Sequence, residues 1–351
     1  MPVNLHDPGR FTVTVLPSPK RLSRARGFGL CAGSVVGEAE SRGAAMPHWW
    51  PGGQPAALTH PTQKRLAARM AGGDTIPGFW NKPSGGFGGA VGWRFVDGRL
   101  DVIDLHPAKG FEWTIAMGSG GGAFAGSGEP KVRKGEKAVD QALFWRPDGT
   151  LVRLPPAEAG REASASATDG TWVVGSVGQA GGQRAALWPA DGSRVIVLGD
   201  DKSLSEASWV ADGEQVGVRW TRQGGAPALW RGTLESFVDL TPRGHESGWV
   251  GGCARGYQVG HVKVKENTRS GAGNMATRAA LWKGDAKSFV DLHSFVPAPW
   301  NASAASAIEV RDGVLRIAGT VTQFGTTDEL TPRESQYLTA NCVALWEARL
   351  D

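Results

Sequence analysis

Cysteine is scarce: the 351 residues hold three, Cys31, Cys253 and Cys342, and no CxxC pair. That spacing supplies neither a disulfide framework nor a zinc site, so each cysteine reads as a small buried hydrophobe. Long apolar runs are missing as well. Nothing approaches the length of a membrane span, and the first 30 residues carry no uninterrupted apolar stretch of the kind a secretory signal needs. No nucleophile elbow, P-loop or HExxH motif occurs, and no catalytic triad order can be read. Charge of one sign is weak at a net +4. The basic runs 20–26 and 131–137 read as solvated loops, and nucleic acid is not an expected partner.

What the chain has in quantity is glycine, 51 residues, and tryptophan, 15 residues against two tyrosines. Tryptophan on this scale implies a packed protein, because disordered chains are poor in large apolar groups. One phrase recurs: "QALFWRPDGTLVRL" (141–154), "RAALWPADGSRVIVL" (184–198), "PALWRGTLESFVDL" (227–240) and "RAALWKGDAKSFVDL" (278–292). With its tryptophan as register mark, the positions are 49, 93, 145, 188, 230, 282 and 346, a base period near 42 to 44 with insertions. A second phrase precedes it, as in "EASASATDGTWVVG" (162–175) and "EASWVADGEQVG" (206–217).

Each unit therefore reads as four short strands. Strand a is Ala/Ser-rich, a DG-type turn leads to strand b ending in Val-Gly, strand c ends in the tryptophan, and strand d is "FVDL" or its equivalent. Asp-Gly between apolar runs is the strongest local hairpin signal, since glycine accepts the positive φ the turn needs. Four strands per unit at this period indicate an all-β chain, a seven-bladed β-propeller of four antiparallel strands per blade. The last unit stops after strand c in "NCVALWEARLD" (341–351), and a spare strand, "FTVTVL" (11–16), stands before the first. The expected closure puts 11–16 into the seventh blade as its fourth strand. The whole chain then forms one propeller domain with blades at about 22–60, 61–106, 107–155, 156–199, 200–241, 242–293 and 294–351 plus 11–16.

The phrases "TDGTWVVGS" (168–176) with "RAALW" (184–188), and "RAALWKGDAKSFVDL" (278–292), resemble the HAF-type extracellular repeat. The resemblance covers nearly all of 22–351 and departs in the first two units, where "HWW" (48–50) and "VGWR" (91–94) replace the usual phrase. It implies a propeller, often in secreted or envelope-associated bacterial proteins, and brings no catalytic residues.

Strand order gives the fold two faces. The a-to-b and c-to-d turns are short hairpins, while the b-to-c connections include the long segments 128–140, 265–277 and 323–340. Function concentrates on long loops held by a rigid scaffold, so the d-to-a/b-to-c face is the candidate. Strand a opens with Glu112, Glu162, Glu206 and Glu246 in four consecutive units, and with Arg24 and Arg65 in the first two. In one register these would form an acidic arc opposite a basic one at the channel mouth. Such an arrangement would serve a charged ligand or a hard cation such as Ca²⁺, or simply balance charge at a solvated rim. His60, His106 and His293 follow strand d and His245 lies in a d-to-a loop, too far out for a shared metal site; no cofactor is expected. The sequence on its own favours a non-catalytic binding or scaffold propeller, monomeric, with a protein or saccharide partner on the long-loop face. A metal-assisted hydrolase or lyase using the carboxylate arc stands second, and a polyanion binder third.

Overall fold

The computed structural model describes residues 5–7, 9–19, 24–41, 44–179, 182–222, 224–265, 275–324 and 338–350. Most of the segments 265–277 and 323–340 lie outside the described residues. Among those described the fold is all-β, and its helices are single 3₁₀ turns such as Leu234–Ser236 and Ala286–Ser288. Among the described residues no helix is long and apolar enough to cross a membrane.

Five units form separate four-stranded antiparallel sheets in the order a-b-c-d. Unit four is typical: Ala163–Thr168, Trp172–Gln179, Gly182–Pro189 and Ile196–Val197. The strands of units seven and one belong to one eight-stranded sheet, joined by the single parallel pairing Arg24↔Asn341. Strand Thr12–Val15 lies antiparallel on Leu338–Arg349, with Val13 opposite Trp346. Among the described residues no sheet closes on itself. Instead the inner strands of units three to seven and one pack on one another in succession, and unit two joins its neighbours through Met70 and Ala71, just past its inner strand, a propeller-like arrangement. Seven apolar clusters sit between consecutive units, and one of them joins Ala307, Ala318 and Val343 of unit seven to Ala25, Val35 and Trp50 of unit one.

Three sequence features build each unit. In five units the a-to-b hairpin takes positive φ at both central residues, as at Asp212 (52°) and Gly213 (80°) or Asp312 (52°) and Gly313 (70°), whereas units two and four have it only at Gly73 and Gly170; the paired form is the type I′ turn that matches strand twist. Strand b of every unit has a glycine at one equivalent position, 37, 78, 126, 175, 217, 260 and 319. A β-carbon there would come within 1.8–2.1 Å of a strand a carbonyl oxygen. In six of the units strand a is bulged opposite this glycine, and the bulge throws the carbonyl toward it.

The third feature is the tryptophan, whose partner on strand b is the residue two before that glycine, as in Val173↔Trp188 and Gln215↔Trp230. Trp93, Trp145, Trp188, Trp230, Trp282 and Trp346 are all fully buried. In unit one the equivalent is Trp50, paired with Val35, not the expected Trp49. Adjacent strand residues point to opposite faces, so only one of the two can enter the core; Trp49 packs instead on Phe95 with ring centroids 5.6 Å apart. In units one to four and seven the indole N–H donates to the carbonyl just past the preceding strand d, as Trp346 does to Leu292. Trp93 donates to Thr59, Trp145 to Leu105 and Trp188 to Pro155, each at 2.8 Å. Trp50 donates to Pro17 at 2.9 Å.

Candidate functional site

The strand b glycine provides a register for the inner strands. Its carbonyl neighbour belongs to Arg26, Ala67, Ile115, Ser164, Glu206, Trp249 and Ala304 in the seven units. Against this mark the expected arc does not hold one register. Glu206 is the marked residue, Arg24, Arg65 and Glu162 stand two positions before it, and Glu112 and Glu246 stand three before it. Side chains alternate along a strand, so the odd offset puts Glu112 and Glu246 out of phase with the others.

Nor do these side chains converge on a common centre. Lys82 Nζ donates to Glu112 Oε1 at 2.8 Å, and Arg24 lies 3.8 Å from Glu40 of its own unit. Arg65 donates to the Pro83 carbonyl at 3.1 Å. Glu162 and Glu246 are exposed. Glu206 differs: it is half-buried, and among the described residues it accepts only a long hydrogen bond from Ser166 Oγ (3.4 Å) and has no ion pair. Burial pushes its carboxyl pKa up, offset in part by that bond. Elsewhere on the inner strands Arg69 joins Glu38 of the neighbouring unit at 3.0 Å, and Trp249 Nε1 donates to Ser208 Oγ at 2.8 Å. Among the described residues no group of three or more His, Cys, Asp or Glu could hold a metal ion.

All three histidines after strand d have structural partners, His60 Nδ1 accepting the N–H groups of Thr62 and Gln63 at 3.1 Å. His106 Nδ1 lies 2.8 Å from Thr114 Oγ1, and His293 Nδ1 lies 2.9 Å from Ser303 Oγ. Each hydroxyl also accepts an N–H from the preceding unit, Ala90 at 2.9 Å and Ala279 at 3.0 Å, and both hydroxyl-bearing residues are buried. Asp104 and Asp291 bind the histidines' backbone N–H rather than their rings. A nucleophile needs an accessible hydroxyl and a ring oriented by an acid. These pairs have neither; they pin one unit to the next.

At the opposite mouth, where the a-to-b turns converge, lies a pocket of about 250 Å³ to which all seven units contribute. Its apolar lining includes Leu30, Trp209, Cys253 and Ile308, and its polar lining Thr168, Asp169, Asp212, Arg255 and Glu309. Trp209 reaches from unit five to unit two: a β-carbon on Gly72 would lie 2.9 Å from its ring. At Trp209's register position the other units carry Gly29, Met70, Gly118, Ala167, Gly252 and Ala307. One large aromatic among mostly small residues was a legible signal of this mouth, which the emphasis on long loops passed over.

No protein-family model matches the chain, and no characterised protein matches it in sequence. Solved structures do match it in fold. A puromycin hydrolase S511A mutant complexed with PGG superposes with a TM-score of 0.58 at 14% identity, over 86% of this chain and 50% of that one. A prolyl endopeptidase structure gives 0.53 at 12% identity, over 92% and 51%. A puromycin-hydrolyzing peptidase of Mycobacterium tuberculosis gives 0.52 at 14%, over 90% and 55%. The chain thus spans about half the length of these enzymes. The expectation of a non-catalytic binding or scaffold propeller is corrected by this finding, since each of these three structures is of a hydrolase or a peptidase. Identities this low show the fold alone.

Proposed function

We propose that the chain works in a peptidase-type hydrolase, as a seven-bladed propeller of HAF-type repeats closed by Thr12–Val15. The observation that carries the reading is the match, over nearly the whole chain, to half of each of several peptide- and amide-cleaving enzymes. The half that this chain does not span would carry the nucleophile, in keeping with the structural use of its Ser–His and Thr–His pairs. What supports the ring is the set of seven inter-unit clusters together with the Trp50–Pro17 bond, which repeats across the termini the contact made inside the chain. The long-loop mouth would then receive the peptide. Its ion pairs leave Glu206 as a carboxyl with no cation of its own.

The test is incubation of the purified chain with fluorogenic aminoacyl and prolyl peptide amides, followed by anisotropy titration with labelled peptides. Saturable peptide binding weakened by Glu206→Gln, without hydrolysis by this chain alone, is the expected outcome. A chain that neither cleaves nor binds any of these peptides would overturn the proposal.

A further inference from the structure

The pocket at the a-to-b mouth lies away from the long-loop face and has no part in the hydrolase reading. From its lining we infer a binding site for an organic cation, a primary ammonium or guanidinium group on a flat apolar body. Four observations lead to it.

The pocket is a product of the whole ring, since every unit contributes lining residues and its volume of about 250 Å³ suits a small molecule. It also has a floor. Trp209 spans the axis to Gly72, so the channel does not run open past it, and the indole offers an aromatic surface beside Leu30, Cys253 and Ile308. A cation over an indole face is attracted by the ring quadrupole, more strongly once desolvated.

The charges around that floor are unequally paired. Glu309 is taken by Arg316 at 3.4 Å, and Arg231 occupies Glu214 at 2.9 Å. Asp169 and Asp212, which line the pocket, accept only backbone N–H groups: Asp169 from Thr171 and Trp172, Asp212 from Arg255. Among the described residues no ion pair reaches Asp169, Asp212 or the nearby Asp74, and the Arg255 side chain pairs with none of them. The two buried thiols beside the pocket feel the same field. Burial first, then Asp74 and Glu309, pushes Cys31 up to about 12; burial, then Glu214, with Asp212 and Asp169, pushes Cys253 up as well. Carboxylates ringing an aromatic floor favour a cation over a neutral or anionic guest.

The experiment uses the full chain and three isosteric probes, benzylamine, benzyl alcohol and benzoate, titrated by calorimetry. Benzylamine should bind saturably with millimolar affinity, the other two should not, and the Asp169→Asn/Asp212→Asn double variant should bind benzylamine at least tenfold more weakly. Asparagine keeps both backbone acceptors and tolerates the positive φ of Asp212, so the fold should survive with an unchanged melting temperature. If the double variant nevertheless unfolds, Asp212→Asn alone carries the comparison. Absence of benzylamine binding, preference for benzoate, or full affinity in the folded variant would each overturn the site.

Discussion

Strand b of every unit holds a glycine at a point where any β-carbon would collide with strand a. For Gly175 the collision is with the Ser164 carbonyl at 2.0 Å. That atom belongs to backbone, so relief requires the strand to move. Gly175→Ala should therefore cost about 3 kcal/mol, at the upper end of overpacking penalties. Gly213, at φ +80° with open space around it, should cost only about 1 kcal/mol when replaced by alanine. Urea denaturation of the two variants checks the order, and equal losses would contradict the clash argument. The Val-Gly phrase was legible in the sequence, but its reason was not, because the bulge that throws the carbonyl leaves no residue signature. For the same reason the glutamates were misaligned: counting from the start of strand a gives one register, and counting from the glycine gives three.

Titration belongs to this scale too. His261, facing Trp249 across the hairpin, has its pKa lowered to about 4, by burial first and Lys263 second. Between that value and the ordinary 6.5 the unfolded chain binds the proton and the native chain does not, so stability falls as pH drops through this window. The loss is on the order of 3 kcal/mol by pH 4. Glu206 acts in the opposite sense. Its raised pKa makes the native state bind the extra proton, so its contribution is full below the ordinary carboxylate value and is lost as pH rises through the folded one. Melting temperatures across this range should show a shallower acid-side fall for His261→Gln and a gain at neutral pH for Glu206→Gln. Profiles parallel to that of the unmodified chain would remove both assignments.

Among the elements, the a-to-b hairpins were the most legible, because Asp-Gly and its variants state the turn type outright. Units five and seven carry Asp-Gly at this turn, and unit six carries Arg255-Gly256, with Arg255 held at φ 51°. Asparagine adopts this conformation more readily than arginine. Arg255→Asn should therefore stabilise the chain by about 0.5 kcal/mol, seen as a small rise in melting temperature; a fall would mean that the arginine side chain makes a contact worth more than the turn. Strand c of unit one was less legible. "HWW" offers two tryptophans to one core position, and only the pairing of Trp50 with Val35 decides between them.

The whole molecule depends on what happens between unit seven and unit one. Strand Leu338–Arg349 has Val314–Phe324 on one side, and on the other Thr12–Val15, from the opposite end of the chain. Phe11 and Leu16 are buried at the two ends of that short strand, and Pro17 takes the Trp50 indole N–H. Deleting residues 1–17 would strip all of this at once. Two buried apolar side chains at about 1.5–3 kcal/mol each already amount to a large part of a typical domain's stability. The deletion would also expose the backbone of Ala344–Glu347 as an unpaired edge, ready to recruit another chain. The truncated protein should therefore melt markedly lower and associate on gel filtration. A synthetic peptide covering residues 9–19 should restore both properties in trans, by adding the missing strand to the open edge. If the truncation melts as the full chain does and stays monomeric, the terminal strand is an ornament and units seven and one are held together by their apolar cluster alone. If it is destabilised but the peptide restores nothing, the loss comes from packing of Phe11 and Leu16 rather than from strand pairing.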